Sequence, residues 1–400
     1  MAIASDQAQY TTPVPSAWRI WTTAWLVTAV FILSNSATPL YVRWQQEMGF
    51  SNGTLTLIFA AYIAGLLATL LVAGQLSDRY GRKPVLFPGL AAAVLACILF
   101  GTASTVASLL LARLLSGIAV GVIVSAGMAS VVDVGGPARR KTAALAASVA
   151  MVLGAGLGPL LSGIFSELLA RPVVPLFGTQ LLILASAFAV AGSLPRLRFP
   201  ARQSEWRLRL PSVPKGNRLH LALGIAVFAP GITSTSFMLS LGPSLLKKLL
   251  GASDPLIAGG MTCLMFLMAT GVQFLLKKLT IRGQLLMGAA SVFLAMLCMV
   301  IASYASAVTP LVLAALLAGA GQGLGQLGGL TLIGLHVPEH RRAEANAVLN
   351  IGGYIPAAIL PVCTGYLIDY TGLATGATAF AAILTVAALA AAGFVRVKLP

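Results

Sequence analysis

The segment GQLSDRYGRKPVL, residues 74–86, separates two long apolar runs with one aspartate, three cations and two glycines. Asp78 closes the first run. Arg79, Gly81, Arg82 and Lys83 then make a very short polar turn, in which Gly81 can take positive φ without steric cost. The next apolar run begins at once, so the segment reads as the connection between two membrane-crossing helices. A basic stop signal between two spans accounts for Arg82 and Lys83 but leaves Asp78, Gly74 and Gly81 unexplained.

Outward from this turn the same texture continues. Of 400 residues, 58% are hydrophobic and 9% are charged, against roughly 25% charged in a soluble globular domain. The mean hydropathy is +0.92. These values exclude an ordinary soluble domain and imply an integral membrane protein. A helix needs about 20 apolar residues to cross the hydrocarbon core, and runs of that kind fall at residues 21–40, 54–76, 85–103, 106–132, 142–165 and 175–194. Six more fall at 219–241, 256–276, 285–304, 311–335, 345–367 and 374–395. Helices are expected because unclosed strands cannot satisfy their backbone in lipid. The expected organisation is a tail at 1–20, a six-helix half at 21–194, a central loop at 195–218 and a second six-helix half at 219–400. Two such halves around a loop are a design of secondary transporters, with the substrate site near the midplane between them.

The net charge of +16 invites a nucleic-acid reading, but the cations lie between the apolar runs. The bilayer is therefore the expected partner and nucleic acid is not. Of the 26 Lys and Arg, 21 fall on one side of the predicted topology and four (Arg43, Arg171, Lys247, Lys248) on the other, with Arg113 inside a span. By the positive-inside rule both termini are expected in the cytoplasm of a multi-pass plasma-membrane protein, of the bacterial inner-membrane type. The tail before Arg19 carries only Asp6, so the basic start of a cleaved signal is missing and the first span should be retained. Within the central loop, SEWRLRLPS sets Trp206, Leu208 and Leu210 against Arg207 and Arg209. That pattern suits either anionic lipid headgroups or a solvated basic loop. Cys97, Cys263, Cys298 and Cys363 are far apart in apolar runs and read as buried packing residues.

Two further motifs lie in the first half. LLARLLSGIAVGV places Arg113, Gly117 and Gly121 at i, i+4 and i+8 on one helix face. The glycines let a neighbouring backbone approach. An arginine inside hydrocarbon costs at least about 2.5 kcal/mol, so it faces a cavity or an internal partner, unless it snorkels to the interface. GAGLGPLLSG supplies Gly154, Gly158, Pro159 and Gly163, with Gly154, Gly158 and Ser162 as a small-residue stripe and Pro159 permitting a bend.

Together these stretches resemble the major facilitator superfamily. Residues 74–86 resemble its signature loop, Arg113 with Gly117 and Gly121 its fourth-helix motif, and Gly154, Gly158, Pro159 and Gly163 the fifth-helix motif of its exporters, with Ser162 in place of a glycine. The resemblance implies an all-α membrane protein of twelve helices in two six-helix halves. It favours the twelve-span drug:proton antiporter branch, whose members exchange a small, often lipophilic molecule for protons. It also implies that the gating residues are Gly74, Asp78, Arg79, Gly81, Arg82, Lys83 and Asp133. Asp133 follows Arg113 by 20 residues, roughly 30 Å along a helix, which puts it at the inner end of the fourth span. There the family pairs such an acid with the loop arginine, here Arg82, and sets Asp78 close to the eleventh helix. A latch of Asp78, Arg82 and Asp133 that stabilises the outward-open state is therefore expected. The second half departs from the pattern, since VQFLLKKLTIRG keeps Lys277, Lys278 and Arg282 but has no aspartate matching Asp78.

The ten acids all lie in tails, loops or span ends, and the first span offers only Asn35 where many antiporters of the branch carry an acid. Asp133 is then the first candidate for proton coupling. With no carboxylate at mid-membrane, a neutral or anionic amphiphile is the expected substrate. The candidate contacts are Asn35, Arg113, Phe237, Gln322, Gln326, Asn350 and Tyr354. For the amides on the tenth and eleventh spans, hydrogen bonding between helices is the alternative. No metal, cofactor or catalytic group is expected, because His220, His336 and His340 have no matching acid cluster. Proton-coupled efflux by a monomer leads. An importer or facilitator of a small metabolite would use the same fold, and a membrane-embedded enzyme or a receptor is disfavoured.

Overall fold

A computed structural model describes residues 17–194, 213 and 215–399. The tail up to residue 16 and nearly all of the expected central loop, including its Trp206 pattern, lie outside the described residues. Among the described residues, twelve helices are long and apolar enough to cross a bilayer. Spans 1–6 are Ala17–Met48, Asn52–Tyr80, Arg82–Gly101, Val106–Gly135, Arg140–Leu168 and Val173–Ser193. Spans 7–12 are Arg218–Leu250, Pro255–Leu275, Ile281–Ala305, Val308–His336, Glu344–Thr371 and Leu373–Lys398.

The helix ends follow from local chemistry. Ser51 Oγ accepts from Thr54 N at 3.2 Å to start span 2, and Asp254 Oδ1 accepts from Ile257 N at 2.9 Å to start span 8. Thr105 and Ser108 form a capping box at the start of span 4. Spans 1 and 7 run beyond the ends expected from hydropathy, to Met48 and Leu250. Their last turns leave the apolar run but stay helical until Gly49 and Gly251, both left-handed. Two spans are irregular. Span 1 breaks at Ala37, passes through a short 3-10 turn holding Pro39 and resumes at Tyr41. Span 4 contains a π-helical turn, Ile123–Gly127.

In the first half, span 1 packs on spans 5 and 6, and span 4 is held between spans 2 and 3. In the second half, span 7 packs on spans 10 and 11, while span 9 lies between spans 10 and 12. Between the halves, span 5 meets span 8 and span 2 meets span 11. In the first half Trp44, Phe100 and Phe177 stack on one another, with centroids 5.4–6.4 Å apart. Of the four cysteines, Cys97 is buried and Cys263 and Cys298 are half-buried, whereas Cys363 is exposed on span 11, contrary to its expected burial. An apolar thiol in a lipid-spanning helix loses nothing by facing outward.

Glycine sets the closest helix contacts. A Cβ on Gly117 of span 4 would lie 2.9 Å from the carbonyl carbon of Tyr62 on span 2. Gly178 of span 6 faces open space. Gly117→Val should therefore destabilise the purified protein by about 1–3 kcal/mol through overpacking. Gly178→Ala should be neutral or slightly stabilising, because alanine is the better helix former. Thermal unfolding of the two variants side by side checks this.

Candidate functional site

The turn between spans 2 and 3 is a single residue, Gly81, with φ 90°. It brings Arg82 back toward the end of the helix it has just left. Arg82 Nη1 donates to Asp78 Oδ1 at 2.7 Å and to Ser77 Oγ at 2.9 Å, and its Nε donates to Asp133 Oδ2 at 2.9 Å. The sequence-predicted cluster of Asp78, Arg82 and Asp133 is thus assembled, from spans 2, 3 and 4. Lys83 Nζ donates to Gly192 O and ties the start of span 3 to the end of span 6. Arg79 lies over the ring of its neighbour Tyr80, 5.4 Å from the centroid.

All of these bonds run inside one half. They are present here while the halves are joined at the other end of the bundle, where Asp369 of span 11 accepts from Asn52 and Gly53 of span 2. Any preference of the cluster for one state of the transporter must therefore come from its contacts with the second half. At its own, basic end, Asp78 is 74% exposed and Gly74 faces open space.

Arg113 is fully buried. Its Nη1 donates to Ser34 O at 2.6 Å, its Nη2 to Thr38 Oγ1 at 3.5 Å and its Nε to the Tyr41 hydroxyl. The guanidinium also lies 4.9–5.9 Å from the ring centroids of Phe59, Tyr41, Tyr62 and Phe100. Of the readings the sequence left open, internal bonding is the one observed. Arg113 is enclosed by its own half and does not present its charge to a ligand. The partners that enclose it, Tyr41, Phe59 and Tyr62, carry no motif that sequence reading could have singled out.

The fifth-span stripe divides between two neighbours. Cβ atoms on Gly154 and Gly158 would meet span 1, at Phe31 Cβ (2.6 Å) and Ser36 Oγ (3.0 Å). One on Gly163 would meet Pro255 O (2.7 Å) and Leu256 Cα (2.8 Å) of span 8 in the other half. Pro159 is itself approached by Gly259 of span 8.

The amides are less engaged than expected. Gln322 Oε1 and Asn346 Oδ1 are buried without a hydrogen-bond partner, and Asn350 Nδ2 donates only to Asn346 O of its own helix, at 3.0 Å. Among the described residues, neither these amides nor Gln326 and Asn35 bond a side chain to another helix, so the interhelical alternative is not realised. Tyr354 meets Phe228 edge-on, with centroids 6.4 Å apart. Phe237 does not fit its predicted role. It is fully buried and stacked on Phe380 of span 12 at 4.2 Å, because span 7 turns that face into its own half. Between spans 2, 3 and 4 lies a largely apolar cavity of about 530 Å³, lined by residues such as Gly65, Val72, Pro88, Leu114 and Val122, with Thr69 and Tyr80 as its polar members; it contains none of the candidate substrate residues.

A family model described as Major Facilitator Superfamily matches residues 21–309. The chain belongs to that superfamily. It is a transporter and not an enzyme. Over 97 residues it is 35% identical to the multidrug resistance protein MdtL of Klebsiella pneumoniae, which covers 23% of this chain and 25% of that protein. The match thus spans about a quarter of that relative's length. The nucleoside transporter NupG superposes with a TM-score of 0.75 at 13% identity, over 94% of this chain and 99% of that one. A D-xylose–proton symporter superposes with a TM-score of 0.68 at 16% identity, over 94% and 97%. At these identities the two structures speak to the fold alone. Among the described residues of this major facilitator protein, no three His, Cys, Asp or Glu side chains converge as metal ligands.

Arg113→Ala would leave Tyr41, Ser34 and Thr38 without their donor and open a void among four rings. A loss of about 2–5 kcal/mol is expected. In thermal unfolding it should far exceed the effect of Asn35→Ala, which removes no protein hydrogen bond.

Proposed function

We propose that this chain exports a small, uncharged amphiphile by alternating access, with its basic end in the cytoplasm. The observation that carries the substrate class is the state of the polar groups. Among the described residues the one buried charged side chain, Arg113, is enclosed by its own half, while Gln322, Asn346 and Gln326 keep acceptors and donors unspent. Such a set offers hydrogen bonds and aromatic faces to a ligand and no compensating charge. The earlier expectation of an anionic substrate loses its support with Arg113 withdrawn, so the neutral class leads. Lipophilic cations rank second, through aromatic faces such as Tyr62 and Tyr354.

Export is favoured by the partial likeness to MdtL and by the fifth-span motif, whose Gly163 seats span 5 against span 8 at the cation-poor end. With the basic end inside, the halves are joined on the outer side, so the site loads from the cytoplasm. The units of movement are the two six-helix halves at residues 21–194 and 219–400. For coupling, Asp133 remains the candidate. Neutralising it would take the charge assistance from the bond that Arg82 Nε donates and loosen the tie between spans 3 and 4.

Export of a matched cationic, neutral and anionic series from a pump-deficient strain should favour the neutral member. Clear preference for the cation would overturn the substrate assignment. In proteoliposomes, collapse of the pH gradient should reduce transport at least about tenfold, and Asp133→Asn should transport without responding to the gradient. Transport indifferent to the gradient would remove proton coupling.

A further inference from the structure

The eight residues that end span 2 and the eight that end span 11 share one pattern. Gly74, Leu76, Asp78 and Gly81 in GQLSDRYG correspond to Gly365, Leu367, Asp369 and Gly372 in GYLIDYTG. The backbone agrees with the spelling. Gly81 has φ 90° and ψ 167°, Gly372 has φ 86° and ψ 160°, and each is at once the last cap of one span and the first cap of the next. The two copies lie at opposite ends of the bundle, because spans 2 and 11 run in opposite directions.

The copies are in different conditions. At the basic end Gly74 faces open space and Asp78 is held by Arg82. At the cation-poor end Gly365 is pressed onto span 2, where a Cβ would lie 2.7 Å from Asn52 O. Asp369 has no ion-pair partner among the described residues. Its Oδ1 accepts from Asn52 N at 2.9 Å and Asn52 Nδ2 at 3.1 Å, and its Oδ2 accepts from Gly53 N at 2.9 Å. Ser51 caps Thr54 N within span 2. The backbone N–H groups of Asn52 and Gly53 are therefore satisfied by a carboxylate from the other half of the protein, which also meets the positive end of the span 2 helix. Tyr366 covers the joint, its ring Cγ 2.7 Å from where a Gly53 Cβ would be.

We propose that Asp369, seated by Gly365, is the element that holds the two halves together at the cation-poor end, as a helix cap supplied in trans. The halves cannot part there without withdrawing the carboxylate from two N–H groups. Gly365 is what allows the approach, since any side chain there would hold span 11 off span 2. This assignment rests on the alternating-access reading above. It extends that reading by naming the residues that must disengage in each cycle.

The test is a pair of electron–electron distance measurements on the purified full chain, with native cysteines replaced. One spin-label pair, Ser104→Cys with Ala305→Cys, spans the halves at the cation-poor end. The other, Lys141→Cys with Leu279→Cys, spans them at the basic end. Asp369→Ala and Gly365→Leu should each raise the ratio of long to short distances at the cation-poor end by about fivefold or more, the scale of a lost helix cap. The basic-end distance should shorten in step. Asp369→Asn, which keeps the shape and one acceptor oxygen, should fall between. If folded Asp369→Ala or Gly365→Leu retains the parental distribution, the assignment is wrong. If Asp78→Asn or a transported substrate shifts the pairs while Asp369→Ala does not, only this assignment falls. If nothing shifts either pair, alternating access falls with it.

Discussion

Lipid gives a helix no hydrophobic reason to leave it, so cohesion of this bundle depends on how closely one backbone can approach another. Glycine decides that. The Cβ positions of Gly117, Gly259, Gly319 and Gly323 lie 2.8–3.1 Å from the carbonyl carbons of Tyr62, Pro159, Met265 and Ala269. Gly117 and Gly121 seat span 4 on span 2, and Gly319 and Gly323, with the same spacing, seat span 10 on span 8. The two halves are thus built on one joint used twice, and Gly259 applies the same device between them.

The joint differs in one respect. Four residues before Gly117 stands Arg113, and four before Gly319 stands Ala315. In the first half a buried guanidinium gathers span 1, Tyr41 and three more aromatic rings around itself. Among the described residues it has no carboxylate partner, and its charge is met by neutral oxygens and by the negative faces of the rings. The first half is consequently tied to span 1 at this level by hydrogen bonds, whereas the alanine at the equivalent place in the second half has no side-chain group to donate or accept one.

Much of the fold was legible because hydrophobic runs and cation placement are summed properties. All twelve spans were readable, with errors where helices outlast their apolar runs, as at Met48 and Leu250. The Asp78, Arg82 and Asp133 cluster was readable because a one-residue turn leaves Arg82 little choice of neighbours, and the resemblance supplied Asp133. Facing was not readable. Phe237 and Arg113 were both expected to meet a substrate, and instead they face Phe380 and Tyr41 of their own halves. A period of 3.6 residues gives the spacing of a face without telling which neighbour it meets. Asp369 was passed over as a span-end acid because its partner is a helix terminus, which has no side-chain signature.

The π turn at Ile123–Gly127 carries its own consequence for span 4. Arg113 and Asp133 are 20 residues apart, which in an unbroken α-helix turns one about 200° from the other. A π turn absorbs one residue without completing its rotation, and brings that angle nearer to 100°. Arg113 can then face span 1 while Asp133 faces the start of span 3. Span 4 works as a clocked shaft, whose single extra residue sets the phase between a buried arginine at one level and an ion pair at another. Lengthening or shortening the shaft would matter less than changing its phase.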